Sequence, residues 1–186
     1  MRVLVPVANG VEDIETVTII DVLRRAQAEV TVASIERDTT ITCARGVKII
    51  ADTTLNEVKK DTFELIAVPG GSAGAAALGK NRALVEMLKA NRSNRRWYAA
   101  ICAAPALVFA PHDLLEGKRA TCYPNFKDQL PRFIDAPVVV DGHCVTSQGP
   151  GTALAFALKL VELTLGEDKA RKIAESMIVP AEESTV

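Results

Sequence analysis

Three short apolar runs, Val3–Ala8, Phe63–Val68 and Trp97–Cys102, are close to continuous rather than alternating, and each stops at glycines or small residues. A run of that length without a two-residue period is a strand buried on both faces. Both faces of a strand are buried only when helices cover the two sides of a largely parallel sheet. The intervening sequence supplies those helices. Val17, Ile20, Val22 and Leu23 recur at helical spacing up to Arg24 and Arg25, and Leu84 and Leu88 anchor a second amphipathic helix. Ala103–Ala110 reads as a helix, Gly151–Leu165 as a strong one with Gly166 as its C-cap, and Asp168–Met177 as the last. Val30–Ile35 alternates as a strand, Thr40–Ile50 reads as a hairpin around Ala44-Arg45-Gly46, and Val138–Ser147 as one or two strands around Asp141-Gly142. Arg119–Cys122 is expected to add a short strand. Strands alternating with helices imply βαβ units, hence an α/β, single-domain, flavodoxin-like sandwich over residues 1–180, with 181–186 a loose tail.

Charge and cysteine usage narrow the function classes. With 22 basic and 23 acidic residues the net charge is −1, too small a field to steer the chain to nucleic acid or an anionic membrane surface. No stretch approaches the ~18 uninterrupted apolar residues of a membrane span, and the N-terminal run is too short for an export signal. Cys43, Cys102, Cys122 and Cys144 are widely spaced, and with only two histidines they offer no zinc-site spacing. Free thiols without an export signal point to a reducing, cytoplasmic compartment. His112 and His143 read as structural or solvent-facing, and Cys144 as a core residue.

In open α/β sheets, ligands bind outside the carboxyl ends of the strands. The residues there are Asn9–Glu15, Gly70-Gly71, Cys102 and Gln148-Gly149-Pro150-Gly151: a thiol, carboxylates and glycine-rich backbone. Cys102 stands out, because Ala99-Ala100-Ile101-Cys102-Ala103-Ala104-Pro105 passes from strand directly into helix with small residues flanking the cysteine, as a tight elbow requires. A thiol at a helix N-terminus is stabilised as thiolate, so Cys102 is expected to be largely ionised at neutral pH. The bare N–H groups of Gly70 and Gly71 are candidates for holding an oxyanion beside it. The segment PGGSAGAAALG matches neither nucleotide-binding glycine pattern, so no nucleotide is assigned to it. Glu12, Asp13 and Glu15 open the first helix, where acids satisfy the macrodipole. One of them can instead turn inward to the thiol, and composition does not choose which.

Several stretches together carry a family resemblance: VEDIETVT (11–18), DVLRRA (21–26), ITCARGVKI (41–49), VPGG (68–71), AAICAAPALV (99–108), YPNFKDQLP (123–131) and TSQGPGTALAFALKLVE (146–162). In this order and spacing the chain resembles the ThiJ/PfpI superfamily, and within it the branch of the parkinsonism-associated protein deglycase and bacterial YajL. The resemblance implies that Cys102 is the nucleophilic, oxidisable cysteine and that Glu15 is a protonated carboxyl donating a hydrogen bond to its sulfur. It also implies that Gly70, Gly71 and the N–H of Ala103 bind the oxyanion. Arg45 and Arg25 fall where members place dimer-interface and anion-pocket residues, and Cys122, Tyr123, Gln148, Gly149 and Pro150 are further candidate pocket residues. Cys43, beside Arg45, is expected to be accessible near a dimer interface.

Two departures bear on mechanism. Tyr123 stands where one branch has a histidine before the proline, which leaves that acid/base role without an occupant. Ala103 follows the cysteine where PfpI-type peptidases have a histidine, which counts against a protease dyad. The resemblance then implies a cofactor-free, metal-free enzyme acting on glyoxal and methylglyoxal or their adducts, free or on proteins, with nucleic acid entering only as a glycated substrate. It further implies a stress-protective role. The competing reading is a redox-responsive chaperone or stress sensor in which oxidation of Cys102 is itself the event. A homodimer is expected, with Val17, Ile20 and Leu23 of the first helix, beside Arg24 and Arg25, packing across a two-fold axis.

Overall fold

The computed structural model describes residues 1–180, so the expected loose tail at 181–186 lies outside the described residues. In chain order the elements are β1 (Arg2–Val7), α1 (Asp13–Arg25), β2 (Glu29–Ser34), β3 (Thr40–Thr42), β4 (Lys48–Ile50) and β5 (Thr53–Thr54). Then follow α2 (Leu55–Val58), β6 (Leu65–Val68), α3 (Ser72–Lys80), α4 (Arg82–Ser93), β7 (Trp97–Ile101), β8 (Val138–Asp141), β9 (Cys144–Ser147), α5 (Ala153–Leu165) and α6 (Glu167–Ser176). Seven strands form one sheet in the order β5-β2-β1-β6-β7-β9-β8, all pairs parallel except β8 with β9. The central strands β1, β6 and β7 are those read as continuous apolar runs, and every residue of β6 is buried. α1, α5 and α6 pack together on one face, and α2, α3, α4 and the turn after β7 on the other. β3 and β4 form a separate antiparallel hairpin around the predicted turn, and Gly166 ends α5 at φ +99°.

One helix was not anticipated, and three local expectations are corrected. Residues 72–80 form a helix that their glycine content conceals, since glycine lowers helix propensity. The tertiary contacts require that glycine: a Cβ on Gly79 would collide with the Leu107 carbonyl oxygen and stand 3.4 Å from Val108 Cα. The predicted helix at 103–110 is a single π-helical turn, Pro105–Phe109, followed by a 3₁₀ turn, Ala110–His112. Pro111 has no N–H to give the Leu107 carbonyl, so an α-helical ladder cannot run past it. Arg119–Cys122 is not a strand beyond one bridge, Ala120 with Phe133. Its backbone donors go instead to the Asp141 carboxylate, the Arg132 carbonyl and the Thr146 hydroxyl. Lastly, Leu23 faces its own core, fully buried, and Ile20 is half-buried against it. The apolar side chains that α1 leaves exposed are Ile14 and Val17, joined by Val47 and Ile50 of the hairpin.

The close approach at Gly79 makes a direct test. Gly79→Ala should destabilise the fold by about 1–3 kcal/mol, the cost of overpacking against a backbone that cannot retreat. Gly151→Ala, whose added methyl meets nothing within 4 Å, should stay within about 0.5 kcal/mol of wild type. Urea unfolding of the two variants measures the difference.

Candidate active site

The three acids at the start of α1 have three separate fates. Glu12 is the N-cap, its carboxylate accepting the N–H of Glu15 at 2.8 Å. The Asp13 carboxylate turns to the hairpin and accepts the N–H groups of Arg45 (2.7 Å) and Val47 (3.1 Å). Glu15 is the one that turns inward. It is fully buried, and its Oε2 accepts the N–H of Gly70 at 2.8 Å. Only glycine fits at position 70, since a Cβ there would come within 2.6 Å of both Glu15 Oε2 and Cys102 Cβ. The carboxyl, the glycine and the cysteine are therefore in contact around one backbone atom.

Cys102 follows β7 at φ +64°, a left-handed conformation that an L-residue adopts only under constraint. The constraint is visible on both sides: the Cys102 N–H donates to the Ser147 carbonyl at 3.0 Å, and its carbonyl accepts the N–H of Tyr123 at 2.8 Å. This is the predicted elbow, and it brings the thiol, 8% exposed, against the N–H groups of Gly71 and Ala103 and the Glu15 carboxyl. Gly71, itself at φ +83°, is bare because a Cβ would run into the backbone of Gly10–Glu12. Two of the three expected oxyanion donors, Gly71 and Ala103, thus converge on the sulfur, while the N–H of Gly70 is committed to Glu15.

The electrostatics correct the expectation of a freely ionised thiol. Burial pushes the Cys102 thiol up to about 12, with the negative charge of Glu15 as the second cause, against the lowering effect of the Gly71 and Ala103 amides. Burial likewise raises Glu15 to about 7 from its ordinary 4.5. Two acids in contact cannot both ionise cheaply, so they titrate as a pair that gives up its first proton near neutrality and keeps the second far above it. With one proton between them the pair has two forms of equal charge, carboxylate with thiol or carboxylic acid with thiolate. Glu15 Oε1 is buried with no hydrogen-bond partner, so it is the oxygen left to carry a carboxylic acid proton, while Oε2 accepts from Gly70.

The remaining candidates divide. Tyr123 is 41% exposed at the mouth, its ring against Gly149, with Cδ2 3.5 Å from where a Cβ on that glycine would lie. Pro150 begins a 3₁₀ turn beside it, and Gln148 is held away by Asp135, to which its side chain donates at 2.8 Å. Cys122 is fully buried, its thiol turned to the Tyr123 carbonyl, so it does not line the mouth. Cys43 is buried as well, which overturns its expected accessibility within this chain. Arg45 is exposed on the hairpin. Arg25 lies ten residues beyond Glu15, about 15 Å along the helix, in an ion pair with Asp21. Cys144 is in the core beside Tyr98, His112 bonds the Gly79 carbonyl, and His143 meets the Trp97 ring in a tilted contact, all away from the thiol. A cavity of about 550 Å³ lined by Lys60, Phe63, Met87, Asn94 and Arg96 opens at the amino ends of β6 and β7, the opposite end of the sheet from Cys102. Sequence reasoning placed Asp13 only among the acids that open the first helix and missed its bonds to the hairpin, whose spacing of 32 and 34 residues leaves no local signal.

Among the described residues no helix is long and apolar enough to cross a membrane. Comparison with known proteins gives the family and the fold. The family model of the DJ-1/PfpI family matches residues 1–163. Protein dj-1beta of Drosophila melanogaster is 41% identical, over 95% of this chain and 96% of its own length. Protein DJ-1 homolog B of Arabidopsis thaliana is 44% identical over 96% of this chain, which spans only 41% of that relative. The glutathione-independent glyoxalase DJR-1.2 of Caenorhabditis elegans is 34% identical over 89% of each chain. Among solved structures, that of oxidized Toxoplasma gondii DJ-1 superposes with a TM-score of 0.94 at 45% identity, covering 95% of this chain and 97% of the other. With its elbow cysteine and buried glutamate in a parallel α/β sheet, this chain belongs to the DJ-1/PfpI family.

Proposed function

We propose that the protein is a cysteine-dependent, cofactor-free enzyme acting on glyoxal and methylglyoxal or on their adducts, in the manner of a glyoxalase or deglycase. The observation that carries this is the contact of a strained elbow thiol with a buried carboxyl, beside two backbone N–H donors. Support also comes from the similarity to a relative named as a glutathione-independent glyoxalase. In the reactive form Glu15 holds the proton and Cys102 is the thiolate. The sulfur adds to the aldehyde carbon, and the N–H groups of Gly71 and Ala103 hold the resulting oxygen. Glu15 gives its proton to that oxygen, then as carboxylate takes the proton from the same carbon and returns it to the neighbouring carbon. With the hydroxyl proton passing from one oxygen to the other, the hemithioacetal of methylglyoxal becomes a lactoyl thioester. Water cleaves the thioester to lactate and returns the thiol, so the net change is addition of one water. From an adduct, whose former aldehyde carbon carries a hydroxyl and the amine or thiol, cleavage of the bond to that amine or thiol restores the aldehyde, which then follows the same path to the hydroxy acid.

The activity should rise with pH through about 7, where the pair loses its first proton to reach the one-proton state. Cys102→Ala should abolish turnover. Glu15→Gln should reduce kcat at least about 100-fold, the lower end of general acid–base contributions. It should also move the midpoint of Cys102 alkylation upward, because the buried thiol then has no carboxyl to take the counter-proton. Lactate release from methylglyoxal, with buffer scavenging controlled, and alkylation followed by peptide mass spectrometry read these outcomes. An unchanged alkylation midpoint in Glu15→Gln would remove Glu15 from the mechanism.

The proposal includes a homodimer formed through Ile14, Val17, Val47 and Ile50, the exposed apolar side chains of α1 and the hairpin. Light scattering at micromolar concentration should give twice the chain mass, and Val17→Glu should shift it toward the monomer.

A second reading, oxidation of Cys102 as a signal, is favoured by the same donors, since N–H groups that hold a thiolate also hold a sulfinate, and by a similar structure solved in oxidized form. Cys102 also has the largest solvent-exposed fraction of the four cysteines. Dilute peroxide should add two oxygens to Cys102 before any reach Cys43, Cys122 or Cys144. Peptide mass spectrometry showing Cys43 or Cys122 oxidised first would discard it.

A further inference from the structure

The loop that leads into Glu15 is joined to the β3–β4 hairpin by a row of hydrogen bonds. Asn9 Oδ1 accepts the Thr42 N–H at 2.9 Å, the Gly10 N–H donates to the Thr42 carbonyl, and the Ala44 N–H donates to the Val11 carbonyl, both at 2.8 Å. Asp13 closes the row, each carboxylate oxygen taking one N–H of the hairpin turn, and it is 7% exposed. On its other side the same loop meets the thiol's amide loop, where the Glu12 N–H donates to the Gly70 carbonyl at 3.0 Å and the Gly74 N–H to the Gly10 carbonyl at 3.2 Å. Residues 9–13 are thus clamped between the hairpin and the segment that supplies Gly70 and Gly71. Two residues after Asp13, within the same helical turn, comes Glu15.

We propose that Asp13 is a positioning residue for the Glu15–Cys102 pair: by bolting the hairpin turn to the first turn of α1, it fixes where the Glu15 carboxyl stands against the sulfur. This rests on the proton-sharing role given to Glu15 above. Asp13 acts through position rather than through its own field. Its charge is felt by Cys43, whose thiol is pushed up to about 11 by burial and then by Asp13 and Glu12. Glu15 responds instead to burial, Cys102, Gly70 and Glu12. The other titratable or charged groups nearby are Cys122 and Tyr123 after β7, and Arg45 and Lys48, which are exposed on the hairpin. An asparagine at position 13 keeps the shape but offers an NH₂ group to one of two N–H donors, so one hairpin bond is lost and a donor faces a donor. Once loosened, Glu15 gains water, slips toward its ordinary acidity and no longer keeps the proton that a thiolate requires.

The test is the pH midpoint of Cys102 alkylation in wild type, Asp13→Asn, Glu15→Gln and the double variant, with thermal unfolding recorded for each. Asp13→Asn should raise the midpoint by half a pH unit or more, though by less than Glu15→Gln does. The double variant should match Glu15→Gln alone, because a residue acting through Glu15 has nothing to act on without it. If Asp13→Asn does not fold, Asn9→Ala, which removes an exposed tie of the same row, should give a smaller shift in the same direction. A wild-type midpoint in the folded Asp13→Asn or Asn9→Ala protein overturns the inference, as does a shift that persists undiminished on the Glu15→Gln background. If Glu15→Gln itself moves nothing, the proton-sharing reading fails first, and the two failures stay distinguishable.

Discussion

The contact between the Glu15 carboxyl and the Cys102 thiol, bridged by Gly70, is the interaction around which the centre of the molecule is arranged. It requires a residue without a side chain at Gly70, a left-handed backbone at Cys102 and a helix whose first turn points an acid inward. None of these favours stability. A carboxyl whose acidity is weakened from 4.5 to about 7 in the folded state binds more protons there than in the unfolded chain, so stability present below the unfolded value is lost as pH rises through 7. At about 1.4 kcal/mol per pH unit this amounts to a cost on the order of 3 kcal/mol at alkaline pH. The rest of the core, with β1, β6 and β7 buried on both faces, supplies the surplus that makes such a site tolerable.

Much of the architecture was legible because burial leaves a periodic trace. The runs at Val3–Ala8 and Trp97–Cys102 became central strands, the turn at Ala44-Arg45-Gly46 became the hairpin, and Gly166 closed α5. The elbow was legible too, since a cysteine set among alanines where a strand gives way to a helix marks a turn too tight for bulky neighbours. What periodicity cannot carry is the identity of hydrogen-bond partners far apart in the chain. Three acids in one helical turn look alike in sequence, and only the folded chain sends one to the cap, one to the hairpin and one to the sulfur.

The misreadings have one physical theme. α3 was hidden because Gly74 and Gly79 are there for close approach to the 10–11 loop and the π-helical turn, and packing overrode their low propensity. The N–H of Gly70 looked as available as that of Gly71 until the carboxyl claimed it. The thiol looked ionised because a helix N-terminus and backbone donors were counted, while the burial of the sulfur and the charge of Glu15, which act the other way, leave no mark in the sequence.

The sheet's margins have a further consequence for assembly. β5, at one margin, is two residues long, and β8, at the other, runs antiparallel to its neighbour and ends in Asp141, tied to Lys118 and Arg119. Short margins ending in charge make poor templates for adding a strand from another chain. The exposed apolar side chains of α1 and the hairpin, by contrast, belong to two elements that Asp13 ties together, and a patch that pairs with its own copy is used up when two chains meet. A surface of that kind, wherever it pairs with its copy, closes on itself instead of extending into fibres.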